Sequence, residues 1–364
     1  LTAIIAHTAA HGWHTHTTQL AGTVLLRYVE ISGPSHDALA LYTHVRQAAR
    51  HTGDSATEAL ALTNLGSIYF QQGHCQHAVD HHQQALALSR EVGFRTSEAL
   101  ALTNLGLVYW QQGRYQLAIE HHQHALAICH EISFPVGKAL ALTNLGKVYQ
   151  RQGRYQLATE HHQHALAISR EIGHRTVEAV ALTNLGKVYQ QQSRYQLATE
   201  HHQHALALCR EIGYRTGEAL VLTHLGLVCC QQGHYQQTTE HYQHALTICY
   251  DIGDRANEPQ ILNGLGEVHH ATGHCDQVRT QHAAALTLAT ELGDRYEQAR
   301  AHHGLAHTHH TTGDLDHARH HWHEALALYA DLDVPDANDL RVHPGPRPTG
   351  PVAALYAATR AAKE

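Results

Sequence analysis

Histidine is the residue whose abundance and spacing first invite a chemical reading. The chain of 364 residues holds 40 His, against 25 Lys plus Arg and 32 Asp plus Glu. His121 and His124, His161 and His164, and His201 and His204 stand three apart within HHQH segments. That spacing places each pair on one face of a helix, where two imidazoles could share a metal ion. Against this, His122, His162 and His202 fill aromatic core positions, and no Cys or carboxylate is arranged to complete a tetrahedral set. The sequence therefore predicts packing and surface histidines, with no metal and no cofactor. At an ordinary pKa of roughly 6.5, about a quarter of the imidazoles would be charged at pH 7, adding roughly ten positive charges. The formal charge of −7 is then nominal, and net charge should swing strongly between pH 7 and pH 6.

Other chemistries find little support. There is no GxSxG, GxxxxGK[ST] or HExxH, and no GxGxxG before a helix. The His and Cys positions repeat along the chain, whereas a catalytic constellation should be unique. Seven Cys include no CxxC pair. Cys129, Cys209 and Cys249 share one repeat position with Ser89 and Ser169, which small-residue packing explains better than disulfides do. A reducing cytoplasm is the natural reading. The absence of a basic run argues against nucleic acid, and no apolar run near 18 residues suits a membrane span. Met is absent even at position 1, so the chain reads as a piece of something longer.

These residues are positioned by a repeat. Segments beginning at Glu58, Glu98, Lys138, Glu178 and Glu218 read EALALTNLG, EALALTNLG, KALALTNLG, EAVALTNLG and EALVLTHLG, each 40 residues after the last, and the frame degenerates at Glu258 and Gln298. Each unit carries two helical stripes, for example Leu102, Leu105, Gly106 and Tyr109, then Tyr115, Ala118, His122, Ala125 and Cys129. Gly73, Gly113, Gly153, Gly233, Gly273 and Gly313 should end the first helix by turning left-handed. Ser193 replaces Gly once and is expected to loosen that turn. Pro135 suits a first helical turn. Gly66, Gly106, Gly146, Gly186, Gly226 and Gly266 sit mid-helix at a cost of about 1 kcal/mol each, so close approach of two helices is expected there.

The predicted fold is all-α, a right-handed α-solenoid of about eight antiparallel helix pairs over residues 1–330. Residues 1–52 form degenerate units, with Leu26 where Gly is expected. Regular repeats fill 53–252 and degenerate ones 253–330. Residues 331–364 read as a Pro-rich linker with a stretch, 352–363, that could form a short capping helix or stay disordered.

Leu105-Gly106, Tyr109, Gly113, Tyr115, Ala118 and Ala125 reproduce a pattern that resembles the tetratricopeptide repeat (TPR), in its 40-residue, kinesin-light-chain-like branch. The N-terminal stretch, through His11-Gly12-Trp13, Gln19-Leu20 and Gly53-Asp54, resembles the start of the C-terminal repeat domain of actinobacterial antibiotic-regulatory-type transcriptional regulators with a nucleotide-binding switch. That resemblance implies a non-enzymatic sensor or autoinhibitory tail, with DNA- and nucleotide-binding domains upstream and one of those as an intramolecular partner. The alternatives are a stand-alone scaffold adaptor, or a repeat domain attached to an enzyme whose catalytic site lies elsewhere.

Comparing the units separates a constant frame from a variable face. After the mid-helix Gly come Ser67, Leu107, Lys147, Lys187, Leu227 and Glu267; three residues later come Phe70, Trp110, Gln150, Gln190, Cys230 and His270. Asn64, Asn104, Asn144 and Asn184 recur just before Leu-Gly, on the face away from the Leu stripe, although Asn is a poor helix former. Its amide both donates and accepts and could hold an extended peptide backbone. With first helices roughly 10 Å apart and a rise of about 3.3 Å per extended residue, the ladder would touch about every third peptide residue. The TPR resemblance likewise implies peptide contact here; the alternative is an Asn bonding between adjacent helices. Lys147, Lys187 and Arg151 add positive charge, and Phe70 and Trp110 add apolar surface. The expected partner is a protein segment with an apolar part beside an acidic part, bound between residues 58 and 192.

Overall fold

The computed structural model describes residues 7–8, 11–20 and 36–332. The Leu26 position, the proline-rich stretch beyond 332 and the capping helix over 352–363 lie outside the described residues. Sixteen α-helices and no strand occur among the described residues. They are α1 (His14–Leu20), α2 (His36–Thr52), α3 (Ser55–Gln71), α4 (Cys75–Glu91), α5 (Arg95–Gln111), α6 (Tyr115–Glu131), α7 (Pro135–Arg151), α8 (Tyr155–Glu171), α9 (Arg175–Gln191), α10 (Tyr195–Glu211), α11 (Arg215–Gln231), α12 (Tyr235–Ile252), α13 (Glu258–Ala271), α14 (Cys275–Leu292), α15 (Arg295–Thr311) and α16 (Leu315–Asp331). Successive helices pack as antiparallel pairs, and the architecture is the all-α solenoid read from the repeat. Two compact units divide the chain, Leu1–Ala181 and Leu182–Glu364, and the same local devices build both.

The helices end where the glycines dictate. Gly113 has φ 73°, a conformation without penalty only for Gly. Its N–H donates to the Trp110 carbonyl at 3.1 Å, and the N–H of Arg114 donates to Tyr109 at 2.9 Å, so the last turn of α5 is satisfied. Ser193 does not loosen its turn, contrary to the sequence expectation. It adopts φ 58° and keeps the same two bonds, Ser193 to Gln190 and Arg194 to Tyr189, both at 2.9 Å. Strain is therefore stored at the residue while the turn stays closed. Pro135 opens α7 at its first turn, where its missing N–H costs nothing.

The mid-helix glycines serve a purpose other than backbone approach. A Cβ placed on Gly106 would meet Cε1, Nδ1 and Nε2 of His122 at 2.5–2.7 Å. Gly66, Gly146 and Gly186 meet His82, His162 and His202 in the same way. Each glycine is a seat for one imidazole from the second helix of its own pair. Tyr242 fills this slot against Gly226, and His282 fills it against Gly266.

Two further devices recur between pairs. Cys129, Cys209, Cys249, Ser89 and Ser169 are all buried at one position, and the thiols are free, as small-residue packing requires. Next to them, at three of the joints, a glutamate at the start of the new first helix is gripped by two arginines. Glu98 accepts from Arg90 at 2.8 Å and from Arg95; Glu178 accepts from Arg170 and Arg175; Glu218 accepts from Arg210 and Arg215. The α6–α7 joint departs from this pattern, because His130 and Lys138 stand where Arg and Glu stand elsewhere.

Candidate peptide-binding face

In the first compact unit the variable positions lie on α3, α5 and α7. Phe70 and Trp110 are half-buried there, and Arg151 is exposed. The Arg151 guanidinium carbon stands 5.5 Å from the centre of the Trp110 ring, within cation–π range. The apolar and basic elements foreseen separately are thus brought together across two helices. Trp110 also encloses its indole N–H without a partner. Lys147 is half-buried and forms no ion pair with any described residue. Loss of solvent lowers its ammonium pKa below the ordinary value.

The Asn ladder is less free than its expected outward face implies. Asn64 donates to the Leu60 carbonyl at 3.0 Å, and Asn104 donates to Ser67 Oγ on α3 at 3.4 Å. The second is the inter-helix bond of the alternative reading, while the first stays within α3. Asn144 and Asn184 are only 7% and 5% exposed. Neither makes a side-chain hydrogen bond among the described residues, and neither belongs to the fully enclosed polar atoms lacking a partner. Their amides therefore retain bonding capacity at the surface.

The same column shows its setting in the second unit. His224 stacks on His202 with ring centres 5.5 Å apart, a Cβ on Gly264 would meet the Tyr242 ring, and one on Gly304 would meet His282. The ladder position thus lies against the ring of the preceding pair, a seam between repeats, and burial follows from that. Lys187 is half-buried, and Gln190 Nε2 donates to Gln231 Oε1 at 3.0 Å. Farther along, the face satisfies itself. Arg300 pairs with Glu267 at 2.5 Å and with Glu297 at 3.0 Å, while Asn263 donates to Glu297 and receives His282 Nδ1 at 2.9 Å.

The histidine columns divide by burial. His121 bonds the Leu117 carbonyl through Nδ1 at 2.8 Å and packs against Tyr109; His161 repeats this with Leu157 and Tyr149. The seated rings are deeply buried. Burial, with a smaller push from neighbouring cationic groups, lowers His82 to about 4 and His122, His202 and His282 to about 3. The same cause takes His224 and His307 well below the ordinary value. The expected ten extra charges at pH 7, and the steep swing toward pH 6, are therefore overestimates, because these imidazoles stay neutral in the fold.

Residues 31–91, 97–171, 137–211, 177–251 and 215–291 match the family model described as tetratricopeptide repeat, together more than half of the chain. The chain belongs to the tetratricopeptide-repeat family. No curated protein sequence matches it. Among solved structures, this TPR protein resembles a Rap protein complexed with competence and sporulation factor, with TM-score 0.64 and 13% identity over 91% of this chain and 97% of that one. The apo quorum sensor NprR from B. thuringiensis aligns with TM-score 0.62 and 14% identity, over 90% and 97%. A signal-transduction ATPase with a TPR sensor, from Pyrococcus horikoshii, aligns with TM-score 0.57 and 14% identity, over 90% of this chain and 53% of that one. At such identities the likeness is one of fold.

One feature of this TPR array went unforeseen. A cavity of about 680 Å³ opens between α6, α7 and α8, away from the variable positions. Leu126, Leu142 and Ile168 line it, together with His130, Lys138 and His164. It lies at the joint where the Arg–Glu grip is replaced by His130 and Lys138. The signal was present in the sequence as the single Lys in the Glu58, Glu98, Glu178, Glu218 column.

Proposed function

We propose that the first-helix face between residues 58 and 192 binds an extended protein segment that carries an acidic part beside an apolar part. Lys147 carries this reading. A half-buried ammonium without an internal counter-ion is unfavourable alone and gains most from a carboxylate brought to it. Trp110 with Arg151 beside it offers the apolar surface, and Asn144 and Asn184 offer amide bonds to a backbone. The C-terminal repeats are poor competitors for such a ligand, since Arg300 already neutralises Glu267. The related fold of a Rap protein carrying a bound signalling factor, and of a Rap conjugation gene regulator in complex with a Phr* peptide, supports this class of partner.

The role that fits best is a non-catalytic sensor or autoinhibitory tail of a larger cytoplasmic transcriptional regulator. A TPR sensor within a nucleotide-switch ATPase supports that setting. Among the described residues no helix is long and apolar enough to cross a membrane. The test is fluorescence-anisotropy titration of acidic-apolar peptides, followed by variants. Asn104→Ala with Asn144→Ala should abolish binding without lowering helicity, and Lys147→Gln should weaken it at least tenfold. Unchanged affinity in both would refute the assignment of this face. The full reading frame decides the setting: a winged-helix and P-loop stretch upstream supports the regulator, and a scaffold adaptor would lack both.

A further inference from the structure

The last described helix pair breaks the repeat at three positions together. In three regular units a tyrosine ends the first helix, an arginine in the turn lies over its ring, and a leucine follows in the second helix. Tyr109 with Arg114 at 4.8 Å, Tyr149 with Arg154 at 4.8 Å and Tyr189 with Arg194 at 5.0 Å show this, followed by Leu117, Leu157 and Leu197. In α15–α16 the same positions are His309, Asp314 and His317. A packing trio has become a set of three metal-ligand side chains at a single place in the chain.

The geometry matches the composition. One donor atom from each of His309, Asp314 and His317 lies within 4.8 Å of the others. Asp314 Oδ2 is 3.3 Å from His309 Nδ1 and 2.8 Å from His317 Nδ1. Ligands about 2.0–2.1 Å from a zinc ion stand roughly 3.3 Å apart in a tetrahedron, so small side-chain rotations complete the set. The backbone beneath is already fixed. The His309 carbonyl accepts from Asp314 N–H at 2.9 Å and from Thr312 Oγ1 at 3.0 Å. Gly313 turns at φ 84°, and Asp314 caps α16. A further imidazole waits beside the set: His321 stacks on His309 at 5.5 Å, and its Nδ1 meets His302 Nδ1 at 2.8 Å.

We propose that His309, Asp314 and His317 form a binding site for a divalent transition-metal ion of the zinc type, which staples α15 to α16. Two imidazoles and a carboxylate suit such an ion better than calcium or magnesium, which take oxygen ligands. The fourth position is open to water or to His321. Binding would stabilise the last described repeat, because an ion held by both helices favours their closed arrangement.

The test uses the whole chain with Zn²⁺ alone in calorimetry and Co²⁺ alone in visible absorption. A triple variant, His309→Gln, Asp314→Asn and His317→Gln, removes the donors while keeping a capping residue at 314, since Asn caps as well as Asp. A control, His121→Gln, His161→Gln and His201→Gln, removes imidazoles from the other columns. Wild type and control should share a one-to-one saturable site that the triple variant loses by at least 100-fold. A triple variant that still binds one ion tightly, or a wild type without a saturable site, overturns the proposal. Should the triple variant misfold, His317→Cys, at an exposed position, should add a thiolate-to-cobalt absorption band, and its absence in a folded variant is equally decisive.

Discussion

Replacing Gly106 by Ala tests the idea that the mid-helix glycines are imidazole seats. On helix propensity alone, the substitution should stabilise by about 1 kcal/mol. The slot reverses that sign. The new methyl would stand 2.5–2.7 Å from three atoms of the His122 ring, against an ordinary contact of roughly 3.5–4.0 Å. His122 is 0% exposed and cannot swing into solvent. Overpacking of this kind costs about 1–3 kcal/mol, so the net expectation after the propensity gain of about 1 kcal/mol is a loss of up to about 2 kcal/mol. Urea unfolding followed by circular dichroism reads the loss, with hydrogen exchange of α5 and α6 to localise it, since a repeat array can unfold piecewise. In a double variant, Gly106→Ala with His122→Ala, the clash disappears and the propensity gain returns. The two substitutions should therefore couple by more than 1 kcal/mol. A Gly106→Ala protein more stable than wild type, or strictly additive effects, would refute the seat.

Other outcomes follow from the same structure. His82, His122, His202 and His282 hold folded pKa values of about 3–4, whereas an unfolded imidazole titrates near roughly 6.5. Protons therefore bind the unfolded chain first, so stability is full above about pH 7 and falls between about pH 6.5 and 4, by up to about 1.4 kcal/mol per histidine per pH unit; a urea midpoint constant from pH 7.5 to 5 would contradict this. Glu98→Gln should cost about 1 kcal/mol, a figure kept small because Arg90 and Arg95 are 54% and 39% exposed and solvent screens them; the loss should shrink in high salt when midpoints are compared. Ser193→Gly should gain about 0.5–1 kcal/mol by releasing the left-handed strain, read as a higher melting temperature.

The sequence made the fold legible because its signals are additive. Every 40 residues the same Leu stripe, the same turn glycine and the same small-residue column recur, and each acts through nearest neighbours. The glycine seats were harder to interpret. Composition shows that Gly106 is costly, but only coordinates show that His122 is what fills the space. The Asn ladder was visible as a column, yet its depth was not. Helical phase places Asn144 away from Leu145 and says nothing of the neighbouring repeat that covers it. Lys147 and Arg151 stand out in the sequence because variation beside a constant frame marks them. The His309, Asp314 and His317 set was missed because attention went to histidines that recur, and this trio occurs where recurrence fails. The cavity beside Lys138 escaped for the same reason.

Several joints between pairs are near duplicates of one another, and this bears on how such a chain changes over generations. The Arg–Glu grip and the ring-on-glycine seat use the same residue types at Glu98, Glu178 and Glu218, and at Gly106, Gly146 and Gly186. Excision or duplication of one 40-residue stretch would leave the new junction made of parts that already fit. No fresh interface would have to evolve. Unequal crossing-over could thus lengthen or shorten the proposed binding face in steps of one rung, while point mutation at positions such as 70, 110 and 147 would retune the surface of each rung. The α6–α7 joint departs from this pattern with His130 and Lys138, and losing it would erase the cavity lined by Leu126, Leu142 and Ile168.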